Sequence, residues 1–341
     1  MKLGLVLGSG SARGWAHIGV INELARYGIT PHVVTGSSIG ALVGAAVASN
    51  RLKDLEEWVL GLDNWQVLGL LDWGLGRGGL ISGEKVFEKI ADTIGDITFE
   101  DLHMPYGAVA TDLMSGREAW LTKGKIKDAL RSSCAIPGIL APALHEGRWM
   151  VDGATVNPIP VTLCRALGAD FVIAVDLNSD KSNKIAANQQ ALLTQNNEPD
   201  AQANNVSLEA KMEQLEAASA QTQPLDYHQE HEIAKGPNIF EQLMIHSKEA
   251  IQGFKDKQEE KRRTPDLFAV MSGCIDIMQD RITRSRLAGE PPDLLLQPKL
   301  AQYGIMEFDR AEELIKEGEK CVQVSKPILE YQLEHMLVRP T

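Results

Sequence analysis

Ser38 is the residue in this chain best placed for covalent chemistry. It stands in Gly36-Ser37-Ser38-Ile39-Gly40, a G-x-S-x-G pentapeptide between a predicted strand and a predicted helix. A nucleophilic serine needs that setting. Small residues two positions away on either side let the backbone close a sharp turn, and the hydroxyl then projects at the strand's carboxyl end. The first turn of the following helix adds free amides and a partial positive charge. The same pentapeptide also fits a plain small-residue turn in which Ser38 caps the helix. A second element, Gly8-Ser9-Gly10-Ser11-Ala12-Arg13-Gly14, is a glycine-rich loop ahead of a predicted helix, where backbone amides converge on an anion. It fits either an oxyanion hole or the phosphate site of a dinucleotide. The dinucleotide use calls for an acidic residue about 20 positions further on, at the end of the second strand. That strand ends in Thr35-Gly36, no Asp or Glu lies between Glu23 and Asp54, and no basic residue takes the place either. A third element is Asp152-Gly153-Ala154, an aspartate placed to orient or deprotonate a nucleophile, although Asp-Gly by itself is mostly a turn. Histidine is the usual base for serine. His228, His231, His246 and His335 follow Asp152, but none lies on a glycine-containing loop after a strand. His17 falls in the first helix, where packing is its expected role.

These residues need a scaffold, and the apolar pattern supplies one. Lys2–Leu7 reads as a buried strand, Trp15–Tyr27 as a helix closed by Gly28, Pro31–Thr35 as a strand and Ser38–Ser49 as a tightly packed helix. Two β-loop-α units in succession predict a parallel sheet with right-handed crossovers. Tyr106–Asp112 and Glu118–Leu121 read as a hairpin, Lys125–Cys134 as a helix, Arg148–Val151 as a short strand, Pro160–Leu167 as a helix and Phe171–Leu177 as a central strand. Residues 181–224 differ: Ala, Asn and Gln fill 22 of 44 positions and no aromatic occurs, which predicts a flexible surface insertion. Beyond it, helices are expected at Phe240–Lys261, Pro265–Ala288, Asp309–Lys320 and Val322–Val338, with a strand at Asp293–Gln297. The expected organisation is a core over 1–178, an insertion over 179–237 and a helical part over 238–341 that completes the domain.

Composition narrows the function. The 341 residues carry 34 Lys and Arg against 46 Asp and Glu, a net charge of −12. That balance excludes nucleic acid as a partner, because phosphate binding needs clustered cations. It gives no attraction to anionic lipid either. Four cysteines without metal-type spacing read as free thiols in a reducing compartment. The short apolar N-terminus is not a signal peptide, and no run of about 18 apolar residues suits a membrane span. A cytoplasmic location is expected.

Together, Ser9-Gly10-Ser11-Ala12-Arg13-Gly14, Gly36-Ser37-Ser38-Ile39-Gly40 and Asp152-Gly153-Ala154 resemble the motifs of the patatin-like phospholipase family. Trp15–Val20 and Arg131–Gly138 resemble its bacterial branch, related to neuropathy target esterase. The likeness covers residues 1–178 and resumes from about Asp266 to Ala311. It implies a three-layer α/β/α fold with a mainly parallel central sheet. It also implies a Ser–Asp dyad, which accounts for the missing histidine: Ser38 as nucleophile and Asp152 as base. Gly36 and Gly40 would shape the elbow. Amides of Ser9, Gly10, Ser11 and Ala12 would hold the oxyanion, with Arg13 adding positive field. No metal or cofactor is implied. The family usually has glycine where this chain has Ser9 and Ser11. If position 11 needs a positive φ, serine there carries a strain of about 1–2 kcal/mol. The implied substrate is a lipid or fatty-acyl ester. The apolar stretch over 53–81, with Trp58, Leu62, Trp65, Val67 and Trp73, is read as completing the core or as an acyl-chain channel and membrane-docking surface at the inner face of the membrane. The alternative is a regulatory or scaffold protein on the same fold with weak hydrolysis. Oligomeric state is not legible.

Overall fold

Leu3–Leu7 (β1) carries no polar side chain and is buried along its whole length. Leu3, Leu5 and Leu7 enter one core and Val6 another. A strand apolar on both faces belongs inside a sheet with helices on either side. β1 accordingly lies between β2 (Val33–Ser37) and β9 (Phe171–Val175), parallel to both. The sheet order is β10-β9-β1-β2-β4-β8-β7, where β10 is Leu294–Leu296, β4 Tyr106–Asp112, β8 Arg148–Asp152 and β7 Ala143–His145. β10 through β4 run parallel. β7, β8 and β5 (Glu118–Leu121) add antiparallel pairs at the β4 side. β3 (Gly79–Ile81) and β6 (Gly138–Leu140) form a separate parallel pair. The expected α/β architecture with a mostly parallel sheet is therefore present.

This computed structural model describes residues 1–63, 66–67, 79–180 and 267–337. The chain divides into two compact units, Met1–Ile185 with Cys274–Thr341, and Ala186–Gly273. All the candidate residues fall in the first. The larger core of that unit gathers side chains of α1 (Ala16–Arg26), α2 (Ile39–Ala48), α3 (Leu52–Leu60) and the helix Ala311–Leu337. The smaller core joins Val6, Val33, Val172 and Ala174 to Ile159, Val161 and Cys164 on the opposite face.

Three readings change. The helices expected at Asp309–Lys320 and Val322–Val338 are one, Ala311–Leu337, with Pro327 inside it. Leu314, Ile315, Val322 and Leu329 all belong to the larger core, and that packing outweighs the amide bond a proline forgoes. The second strand runs to Ser37 rather than Thr35, which carries it directly to Ser38. The glycine-rich loop closes in a short 3-10 turn, Ser11–Trp15, before α1. The insertion beyond residue 180 and the helix expected at Phe240–Lys261 lie outside the described residues. Among the described residues, no helix is long and apolar enough to cross a membrane.

Strand register brings the distant motifs together. β2 pairs with β4 at Ser37 and Val109, and β4 pairs with β8 at Ala110 and Asp152. Asp152 thus arrives beside Ser38 from a strand running the opposite way.

Candidate active site

β2 ends at Ser37 and α2 begins at Ile39, so the whole reversal falls on Ser38. Its backbone takes φ 57° and ψ −127°. Non-glycine residues seldom occupy that region, at a cost of about 1–3 kcal/mol, and they stay there only when the surroundings hold them. Two kinds of contact do so. The Ser38 amide donates to Ser133 Oγ at 3.0 Å, and the Ser133 hydroxyl donates to the Val109 carbonyl at 2.6 Å. The flanking glycines also allow a backbone approach that no other residue permits. A Cβ on Gly36 would lie 2.3 Å from the Gly40 carbonyl oxygen, and one on Gly40 would lie 2.0 Å from that of Leu7. Sequence reasoning did not single out Ser133. The available signal was a pair of serines, Ser132-Ser133, at the end of an otherwise amphipathic helix, Ile126–Ser133.

Ser38 Oγ donates to Asp152 Oδ2 at 2.5 Å. The other carboxylate oxygen, Oδ1, accepts the Ala154 amide at 2.8 Å. The Asp152 backbone is fixed as well: its amide donates to Ala135 O at 2.9 Å and its carbonyl accepts Thr111 Oγ1 at 2.9 Å. Asp152 is almost wholly buried. Burial pushes its carboxyl up from the usual 3.8 to about 6, and the bonds from Ser38 and Ala154 pull the other way without prevailing. A carboxylate that titrates there accepts a proton more readily than an ordinary one.

A family model described as patatin-like phospholipase matches residues 5–165. An uncharacterized NTE family protein of Mycobacterium tuberculosis is 34% identical over 331 residues, covering 93% of this chain and 89% of that protein. The chain belongs to the patatin-like, NTE-related family of lipid hydrolases. Neuropathy target esterase sws of Drosophila melanogaster is 36% identical over 185 residues, 52% of this chain and 13% of its own length. Patatin-like phospholipase domain-containing protein 7 of Mus musculus is 31% identical over 184 residues, 52% of this chain and 14% of its own.

In this patatin-like chain the glycine-rich loop is narrower as an anion site than the sequence suggested. The Ser9 amide donates to Pro158 O at 3.0 Å and the Ala12 amide to Ile305 O at 3.1 Å, while the Arg13 amide turns back to Gly10 O at 3.3 Å. Two of the four expected donors, the amides of Ser9 and Ala12, are thus already engaged in tying the loop to its neighbours. The amides of Gly10 and Ser11 have no acceptor among the described residues, nor do those of Ile39 and Gly40 in the first turn of α2. Ser11 does adopt a positive φ, 53°.

Arg13 also departs from expectation. Its guanidinium is fully buried and donates through Nη1 to Asn178 Oδ1 at 2.6 Å. Asn178 Nδ2 in turn donates to the Ser9 carbonyl at 3.1 Å, so Arg13 braces the loop from behind. Burial lowers its pKa, and the charge of Asp276 opposes that. His17, expected merely to pack, holds the foot of the same loop. Its Nε2 lies 2.8 Å from the Gly8 carbonyl, which only accepts, so Nε2 carries the proton. Burial drives its pKa down to about 4, and the ring is neutral.

Beside the elbow lies an apolar cavity of about 110 Å³, lined among others by Trp15, Ile39, Leu42, Trp58, Met306 and Phe308. Ile39 follows Ser38 directly. Leu62 and Val67 of the apolar 53–81 stretch line the same cavity, and Trp58 and Leu62 also pack against the larger core. Trp65 and Trp73 lie outside the described residues. Among the described residues no group of three or more His, Cys, Asp or Glu side chains is assembled that would hold a metal ion.

Proposed function

We propose that this protein hydrolyses lipid acyl esters of the phospholipase A, lysophospholipase or carboxylesterase type through Ser38 and Asp152. The observation that carries this reading is the 2.5 Å bond from Ser38 Oγ to Asp152 Oδ2 at a strained elbow, next to Ile39, which lines an apolar cavity. Ser38 Oγ attacks the ester carbonyl carbon and passes its proton to Asp152 Oδ2. The amides of Gly10 and Ser11 hold the tetrahedral oxyanion; one such donor is worth about 10²–10³ in rate. Collapse expels the alcohol, which takes the proton back from Asp152. Asp152 then draws a proton from water, the hydroxide adds to acyl-Ser38, and the fatty acid leaves as the proton returns to Ser38. Every proton has a protein or water acceptor at each step.

The acyl chain lies in the cavity lined by Ile39, Leu42 and Trp58, whose apolar walls suit hydrocarbon. With a net charge of −12, contact with the membrane that supplies the lipid runs through apolar side chains rather than cations. Residues 1–178 carry the reacting groups, and the insertion expected over 179–237 takes no part in the chemistry.

A fluorophosphonate probe tests the reading together with p-nitrophenyl esters of rising chain length. Wild type is expected to label and to turn over esters. Ser38→Ala loses the label, and Asp152→Asn loses about 10³-fold or more of turnover. A wild type that neither labels nor hydrolyses any ester sinks the proposal.

A further inference from the structure

Ser11 is a non-glycine residue at a positive φ of 53°, and the structure gives its side chain a specific contact. Ser11 Oγ donates to the Ile305 carbonyl at 2.6 Å. The Ala12 amide donates to the same oxygen at 3.1 Å. Four residues on, Trp15 Nε1 donates to the Phe308 carbonyl at 3.2 Å, and the Trp15 ring meets the Phe308 ring edge-on with centroids 6.0 Å apart. Residues 305–308 therefore form a strap bound to the loop at three points. Two residues of that strap, Met306 and Phe308, form walls of the apolar cavity, as does Trp15. The amides of Gly10 and Ser11 in the same loop have no acceptor among the described residues. One short segment thus joins the cavity wall to the anion site, and Ser11 bridges them with both its side chain and its amide.

We propose that Ser11 is a positioning residue that transmits occupancy of the acyl cavity to the oxyanion amides. A chain seated against Met306 and Phe308 presses the strap into one position. The Oγ–Ile305 bond then fixes φ at Ser11, and with it the direction of the Ser11 amide. The inference rests on the acyl-ester reading above. It gives a role to a serine at a backbone angle that glycine would adopt without strain. The side chain's bond to Ile305 O offsets that strain and supplies a link that glycine lacks.

The test compares Ser11→Gly, Ser11→Ala and wild type on p-nitrophenyl acetate and octanoate. Glycine accepts the 53° φ and removes only the hydroxyl link, so Ser11→Gly keeps its thermal midpoint within a few degrees. Ser11→Ala keeps the strained angle without the bond and melts lower. Both are expected to lower the octanoate-to-acetate ratio of kcat by about 3- to 10-fold, the effect of one hydrogen bond, with little change in KM for octanoate. A mere packing role would move KM and leave the kcat ratio alone. If the kcat ratio stays within about twofold of wild type in both variants, whether or not KM changes, the inference is overturned. The underlying reading fails separately, and visibly, if Ser38→Ala hydrolyses both esters as fast as wild type.

Discussion

Asp152→Asn should make the protein more stable as it abolishes turnover. The Asp152 carboxyl titrates near 6 instead of 3.8 because burial penalises its charged form. A difference of about 2 pKa units corresponds to roughly 3 kcal/mol of penalty on the folded state once the group is ionised. Asparagine has the same shape and no charge. Its oxygen still accepts the Ala154 amide, and its NH₂ group meets Ser38 Oγ, whose own proton loses its acceptor at a cost of about 1 kcal/mol. The net gain is about 1–2 kcal/mol at neutral pH. For a domain of this size that is an increase in melting temperature of roughly 2–8 °C.

The sign follows from linkage. A carboxyl whose pKa is raised by folding favours the folded state while protonated, and that advantage disappears as pH rises from about 4 through 6. The gap between Asp152→Asn and wild type should therefore be near zero or negative at pH 4, widen to pH 6 and level off above pH 7. Thermal melts by circular dichroism in a buffer series from pH 4 to 8 read this directly. A gap that is flat across the series, or a variant less stable than wild type at pH 7, would refute the claim that Asp152 is held in the protein against a desolvation penalty.

The same titration should appear in catalysis: kcat/KM for a neutral ester should fall about tenfold per unit below pH 6, as Asp152 becomes protonated. Gly40→Ala should cost about 4 kcal/mol or more, read as lost soluble yield or a collapsed melting point, because its Cβ would sit 2.0 Å from Leu7 O. Ser133→Ala should lose about 1–3 kcal/mol in chemical denaturation and label more slowly with fluorophosphonate, since it orphans both the Ser38 amide and Val109 O. Leu42→Trp should fill the cavity beside Ile39 and raise KM for octanoate about tenfold relative to acetate; an unchanged chain-length profile would place the acyl chain elsewhere.

What the sequence made legible is what local pattern encodes. The two β-loop-α units, the G-x-S-x-G reversal and the buried β9 each carry their own periodicity and turn residues, so they could be read without any tertiary knowledge. Ser38 and Asp152 are 114 positions apart, and only the register through β4 makes them neighbours. Ser133 escaped because its role is a single hydrogen bond to a backbone amide, which leaves no spacing signature. The oxyanion loop was misjudged for a related reason. Each amide looks alike in the sequence, and only the positions of Pro158 O and Ile305 O show that Ser9 and Ala12 are already engaged. The helix Ala311–Leu337 is continuous through Pro327 because its core side chains hold it, and no local pattern carries that information.

In the proposed mechanism a carboxylate stands where serine usually has a histidine, and that becomes intelligible in the same terms. An imidazole is the common base for serine because its pKa lies near neutrality. An exposed carboxylate near 3.8 would be too weak a base at pH 7. Burying Asp152 moves it to about 6, close to where a histidine would titrate, while its 2.5 Å bond to Ser38 Oγ keeps it in reach of the proton it would accept in the proposed reaction. The one histidine beside the loop has undergone the reverse shift. His17 is buried, titrates near 4, and donates its only proton to the Gly8 carbonyl. Over the pH range in which Asp152 gains and loses a proton, His17 does neither. The same low-polarity interior that makes the aspartate a usable base makes the histidine a fixed hydrogen-bond donor, so the two roles could not be exchanged without rebuilding the carboxyl edge of the sheet.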